Sequence, residues 1–227
     1  MNKVSRMQTD KLANDTEAFA SGEICRVGGF ALTRRALELS SFAPAAHLAD
    51  IGCGKGATVR YLRALGFEAC GLDCDAAAIR QAGPFCQTGD ALSLPYAAAS
   101  LDGLLYECSL SRMAVPQALA EAWRVLKPNG KIVVSDLYAQ DDSGGLLNQS
   151  QWLELFVKAG FSCLIFEDHS RVLKELAAQL LWQHGRSLEE FHDDVFVPKV
   201  SHCSYFLLIG YHKCLNPEIT EKELLKS

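Results

Sequence analysis

The chain has 227 residues, 49% of them apolar and 22% charged, enough for one sizeable domain with its own core. Its net charge of −5, with no cluster of Lys and Arg, argues against nucleic acid as a partner, because phosphate binding needs a basic surface. No apolar run approaches the ~20 residues of a membrane helix, and the polar N-terminus lacks a signal-peptide core; a cytoplasmic protein without a membrane partner is expected.

Residues 1–22 read as a mobile N-terminal segment. From Arg26, "RVGGFALTRRALELSSF" predicts a helix, with Leu32, Ala36, Leu37 and Leu39 at helical spacing ahead of Ser40, Ser41 and Pro44. "AHLADIG" (46–52) is a buried strand, and "ATVRYLRALG" (57–66) a helix stopped by Gly66. "FEACGLDCD" (67–75) is a second strand, followed by a short helix capped by Asp75. "FCQTGDA" (85–91) and "LDGLLYECSL" (101–110) are strands three and four. "VPQALAEAWRVL" (115–126) is a helix, "KPNG" its turn, and "KIVVSDLYA" (131–139) strand five. A helix over 148–160, a strand over 161–169 and a helix over 170–185 follow. A shorter helix over 187–195, a last strand over 203–213 and a charged tail over 214–227 close the chain. Trp152, Trp182 and Phe191 sit at helical spacing and read as core.

Such strand–helix alternation predicts an open, doubly wound α/β sheet of seven mainly parallel strands, with helices on both faces and an antiparallel last strand. The domain spans 23–213, with a helical insertion over 170–195 bordering the substrate pocket. The nine cysteines include no CxxC pair and no zinc spacing. They are expected to be reduced small hydrophobes, with no structural disulfide and no metal site.

Chemistry concentrates in "LADIGCGKGATV". Gly52, Gly54 and Gly56 alternate after a strand, two residues beyond Asp50. Three glycines together imply that side chains would be in the way of something. In a parallel sheet this loop lies at the carboxyl ends of the strands, where ligands bind. The spacing is G-x-G-x-G, neither the G-x-G-x-x-G of dinucleotide binding nor a Walker loop, for which Lys55 is misplaced.

Five motifs in order, "ADIGCGKG", "CGLDCD", "TGDALSLPY", "LDGLLYECSLSRM" and "EAWRVLKPNGKIVVSD", resemble the class I, Rossmann-like S-adenosylmethionine-dependent methyltransferases of the type 11 group. The resemblance implies that Asp50, Gly52, Cys53, Gly54 and Gly56 line the methionine part of S-adenosyl-L-methionine. It places Asp73 on the ribose hydroxyls, Cys74 along the adenine, and Asp90 and the Ala91 amide on the adenine edge. Glu107 stands where many relatives carry asparagine and would face the methionine moiety. The segment before strand one crosses the pocket in that family, which would bring Arg26 near the methionine carboxylate, with Gly28 and Gly29 over that end.

The plainer readings stay open. Asp73 also fits a loop acid or helix cap, Asp90 a turn, and Glu107 a strand-end carboxylate bonded to amides. Candidates for a chemical role are Glu107, Cys108 and His169, with Asp168 or Ser170 equally suited to capping the next helix. The resemblance implies methyl transfer to a small molecule, leaving S-adenosyl-L-homocysteine. A sulfonium methyl is already activated, so alignment is the main demand on the protein. The alternatives are a cofactor-binding protein without turnover, a metalloid or thiol methyltransferase using Cys108 with Cys25 and Cys74 nearby, and a nucleotide-binding oxidoreductase. The N-terminal cysteine motifs of metalloid methyltransferases are not apparent here.

Overall fold

A computed structural model describes residues 26–140, 146–185, 187, 190 and 203–212. Its elements run α1 (Gly29–Ser40), β1 (His47–Ile51), α2 (Ala57–Ala64), β2 (Glu68–Asp73), α3 (Ala76–Ala82), β3 (Cys86–Thr88) and β4 (Leu101–Glu107). A short 3-10 turn, α4 (Val115–Val125), β5 (Leu126–Ala139), α5 (Gln149–Lys158), β6 (Phe161–Asp168), α6 (Ser170–His184) and β7 (Cys203–His212) follow. The seven strands form one sheet in the order β3-β2-β1-β4-β5-β7-β6. The pairs from β3 to β5 are parallel, and β7 runs antiparallel to both β5 and β6.

Period-two alternation sends successive side chains to opposite faces. Leu48, Leu105, Val133, Leu207 and Ile209 meet α1, α2 and α6 through Leu32, Leu62 and Leu173. Ala49, Leu104, Ile132, Phe206 and Leu208 meet α4 and α5 through Leu119, Trp152 and Phe156. The expected two-faced sheet is therefore present.

Local chemistry sets the helix starts. Asp75 accepts the Ala77 amide at the head of α3, and Asn148 and Gln151 form a reciprocal capping box on α5. α1 begins only at Gly29, because Gly28 takes a left-handed conformation against which Val172 of α6 packs.

Three expectations need correction. "KPNG" is an excursion inside β5 rather than a turn ahead of it. Leu126 already pairs with Leu101, and the register shifts before Lys131 meets Gly103. β3 keeps only Cys86–Thr88, because Asp90 bends the chain by accepting the Leu92 amide. Trp182 is 90% exposed, whereas Trp152 is buried. On α6 the core-facing row is Leu173, Leu176 and Leu180, and Trp182 falls off it. Phe191 and the 191–195 part of the predicted short helix lie outside the described residues, as do the N-terminal segment and the charged tail. No helix among the described residues is long and apolar enough to cross a membrane.

Candidate functional site

The chain reverses direction across the sheet between β1 and β4, and the glycine loop lies at that switch point, beyond the carboxyl end of β1. Leu72 of β2 anchors it, its carbonyl accepting the Gly52 and Cys53 amides at 2.7 and 3.1 Å. The three glycines serve different needs. Gly52 has φ +78°, and a Cβ there would collide with Ser109, whose hydroxyl donates to the Ile51 carbonyl at 2.6 Å. A Cβ on Gly56 would stand 2.9 Å from the Ala82 carbonyl oxygen and from Cys86 Sγ. Gly54 also has positive φ (+51°), but a Cβ there would meet nothing within 4 Å. Two glycines thus make room for protein, and Gly54 presents open backbone.

Asp73, the last residue of β2, reaches this open point. Its Oδ2 accepts the Gly54 amide at 2.7 Å and its Oδ1 the Asp75 amide at 2.9 Å. A carboxylate can accept about four hydrogen bonds, so capacity remains for a further donor. Cys74 is exposed beside it. Further along the rim Asp90 is exposed, while Ala91 is half-buried against the α4–α5 face of the core.

On the other side of the loop is a buried polar cluster. Glu107 ends β4, and its side chain is 5% exposed. Its Oε1 accepts the Thr33 hydroxyl and its Oε2 the Thr58 hydroxyl, both at 2.6 Å. Arg26 Nε stands 2.8 Å from Oε2 as an ion partner. That N–H is not aimed at the oxygen, so this buried Nε makes no hydrogen bond. Another Arg26 nitrogen donates to Thr33 Oγ1 at 3.1 Å. Asp50 lies buried close by. Burial, reinforced by the Glu107 charge and opposed by Arg26, holds its carboxyl well above the ordinary carboxylate range.

Cys108 follows Glu107 in a left-handed conformation, φ +55°, that a non-glycine residue seldom adopts. Its sulfur lies 3.0 Å from the Tyr205 hydroxyl and accepts the Val27 amide. Burial pushes its thiol up to about 12, which keeps it protonated and a poor nucleophile. The side chain of His169 makes its hydrogen bond elsewhere. Its Nε2 lies 3.1 Å from Glu167, which Arg35 also binds. Arg35 and Thr33 fall on opposite sides of α1. Asp168 accepts both the amide and the hydroxyl of Ser170, so it serves the start of α6.

The structure thus gathers Arg26, Asp50, Gly54, Asp73 and Glu107 about one loop and leaves His169 outside that group. The sequence reading missed Thr33, Thr58 and Ser109. The signal was a hydroxyl on the buried face of two apolar helices, and a serine just past a strand that meets a glycine.

Comparisons with known proteins agree with this architecture. Residues 49–134 match the family model of the methyltransferase domain. An uncharacterized methyltransferase, YodH, of Bacillus subtilis (strain 168) is 30% identical over 115 residues. That match covers 47% of this chain and 49% of YodH, so the chain spans about half the length of this curated relative. Among solved structures, phosphoethanolamine N-methyltransferase 2 of Haemonchus contortus, in complex with S-adenosyl-L-methionine, superposes with TM-score 0.70 at 17% identity. It covers 88% of this chain and 58% of that one. The [4+2]-cyclase SpnF superposes with TM-score 0.63 at 23% identity, covering 80% of each chain. At these identities the structural likeness concerns the fold.

Proposed function

We propose that this chain, which carries a class I, Rossmann-like methyltransferase domain, binds S-adenosyl-L-methionine in the loop after β1 and transfers its methyl group to a small molecule. The observation that carries the reading is the open face of Gly54, whose amide is pinned by the Asp73 carboxylate at 2.7 Å. A ligand can approach the backbone there, with a fixed anion beside it.

The residues present suit that ligand. Asp73 keeps acceptor capacity for the ribose hydroxyls after serving its two amides. Arg26 has an unsatisfied buried Nε–H suited to a carboxylate, and Glu107 offers a negative charge suited to an ammonium group. In the free protein these two charges face each other, so neither is buried without a counter-charge. Burial and then the Glu107 charge raise the Asp50 carboxyl, which lessens the cost of a second buried acid beside Glu107. Cys53, Cys74, Asp90 and Ala91 complete the proposed lining. When bound, the cofactor supplies an activated sulfonium methyl, and the protein's task is alignment and exclusion of water.

A small-molecule acceptor is supported by the acidic net charge and by the fold shared with a phosphoethanolamine N-methyltransferase. A second reading, cofactor retention without methyl transfer, is favoured by one observation: the same fold occurs in a [4+2]-cyclase. The test incubates the protein with methyl-labelled cofactor and separate pools of metabolites, peptides and RNA. Label entering the metabolite pool is expected. Label in RNA or peptide would contradict the small-molecule acceptor, and cofactor binding with no label transferred anywhere would favour the second reading.

A further inference from the structure

The proposed methyl transfer makes no chemical use of the thiols behind the glycine loop. Cys53 belongs to that loop, and Cys86 opens β3, on the far side of β2. Between them lies Gly71 of β2. A Cβ on Gly71 would stand 2.7 Å from Cys53 Sγ and 2.9 Å from Cys86 Sγ, closer than real side chains pack. The missing side chain is what allows two sulfurs from different segments to converge.

Their surroundings divide the roles. Cys53 is buried and Cys86 half-buried. The neighbouring Cys53, with the charge of Arg60, lowers the Cys86 thiol from its ordinary value, while Cys86 and burial raise that of Cys53. A half-exposed thiol whose proton is more readily lost, beside a buried one that holds its proton more tightly, is the arrangement of an attacking and a resolving cysteine. Two other thiols are otherwise engaged. Cys70 packs toward the opposite face, near the Leu48 carbonyl and the Tyr96 hydroxyl, and Cys108 bonds Tyr205.

We propose that Cys53 and Cys86 form a redox-modifiable dithiol that hydrogen peroxide converts to a disulfide, distorting the glycine loop and weakening cofactor binding. The Cys86 thiolate attacks one peroxide oxygen, the O–O bond breaks, and Cys86 sulfenic acid and hydroxide result. The released hydroxide takes the Cys53 proton as water, and the Cys53 thiolate attacks the Cys86 sulfur; the S–O bond breaks, the S–S bond forms, and the hydroxide that leaves takes up the proton Cys86 first gave to solvent. The two thiols give up two electrons and two protons, and one peroxide becomes two waters. Closing the bond draws Cys53 toward β3 and pulls on Gly54, whose amide is tied to Asp73. The effect on the cofactor rests on the binding site proposed above; the disulfide does not.

The test treats the full-length protein with peroxide under native conditions, alkylates the remaining thiols in denaturant and maps tryptic peptides by mass. A cross-link between peptides 36–55 and 81–112 is expected. The second peptide also carries Cys108, so the cross-link must vanish in Cys86→Ser and persist in Cys108→Ser. Titration of the same samples with S-adenosyl-L-homocysteine should show about ten-fold weaker binding after oxidation, restored by dithiothreitol and absent from Cys86→Ser. Alkylation of both thiols without the cross-link would overturn the proposal. So would a cross-link that leaves the affinity unchanged in a protein that binds when reduced. If the reduced protein does not bind at all, the cofactor reading fails, and the peptide map alone decides whether the dithiol exists.

Discussion

Glu107 concentrates the site's electrostatics in one side chain. Two threonine hydroxyls and the Arg26 guanidinium surround it, and both charged side chains are more than nine-tenths buried. Removing one partner of such a pair leaves a buried charge without compensation, which costs about 3–5 kcal/mol. Glu107→Gln is therefore expected to lose stability of that order in urea unfolding. Asp50 makes a separate prediction through pH. Its folded carboxyl is raised, by burial first and the Glu107 charge second, above its unfolded value of about 4. Between those two values the folded state binds more protons than the unfolded state, so stability falls as pH rises. Asp50→Asn should remove most of that decline, leaving the smaller contribution of Asp136, whose carboxyl burial also raises. Urea unfolding across a pH series checks this; parallel curves for the two proteins would contradict it. Glu107 and Arg26 were both singled out in the sequence. Their direct pairing was not legible there, because it depends on how the residues leading into and along α1 reach the end of β4.

At the scale of the element, the loop between β1 and α2 has packed glycines and one open one. Gly52 and Gly54 both adopt positive φ, but only Gly52 has a side chain against it. Alanine at Gly54 should cost about 1–2 kcal/mol, the price of left-handed backbone alone, while weakening cofactor binding about ten-fold or more by covering the open face. Alanine at Gly52 should cost clearly more stability, because Ser109 cannot retreat without losing its bond to Ile51. Thermal unfolding paired with titration distinguishes the two; equal stability losses would contradict this division. The loop was legible because glycine spacing is local. β5 was less so, since its early start at Leu126 depends on pairing with Leu101 across the sheet. Trp182 misled because its helical spacing fits a buried stripe, yet the packed row of α6 is Leu173, Leu176 and Leu180.

For the whole molecule, the strand order β3-β2-β1-β4-β5-β7-β6 accounts for where the site lies. Reversal between β1 and β4 opens the rim at the glycine loop. The next strand outward delivers Asp73 and the strand on the other side delivers Glu107. This much was legible, because alternating strand and helix patterns fix a parallel sheet and the carboxyl-end rim on which the glycine loop lies. The convergence of Cys53 and Cys86 across Gly71 was not legible, because three segments meet there only once the sheet has formed. The central claim is that this rim is a cofactor cradle held by Asp73. Calorimetric titration with S-adenosyl-L-homocysteine, on the reduced wild type and on Asp73→Ala, tests it most directly. Hydrogen bonds to a charged group contribute about 1.5–3 kcal/mol, so the account predicts micromolar binding that weakens roughly ten- to hundred-fold in the variant. No binding by the wild type, or an affinity unchanged in Asp73→Ala, would contradict it.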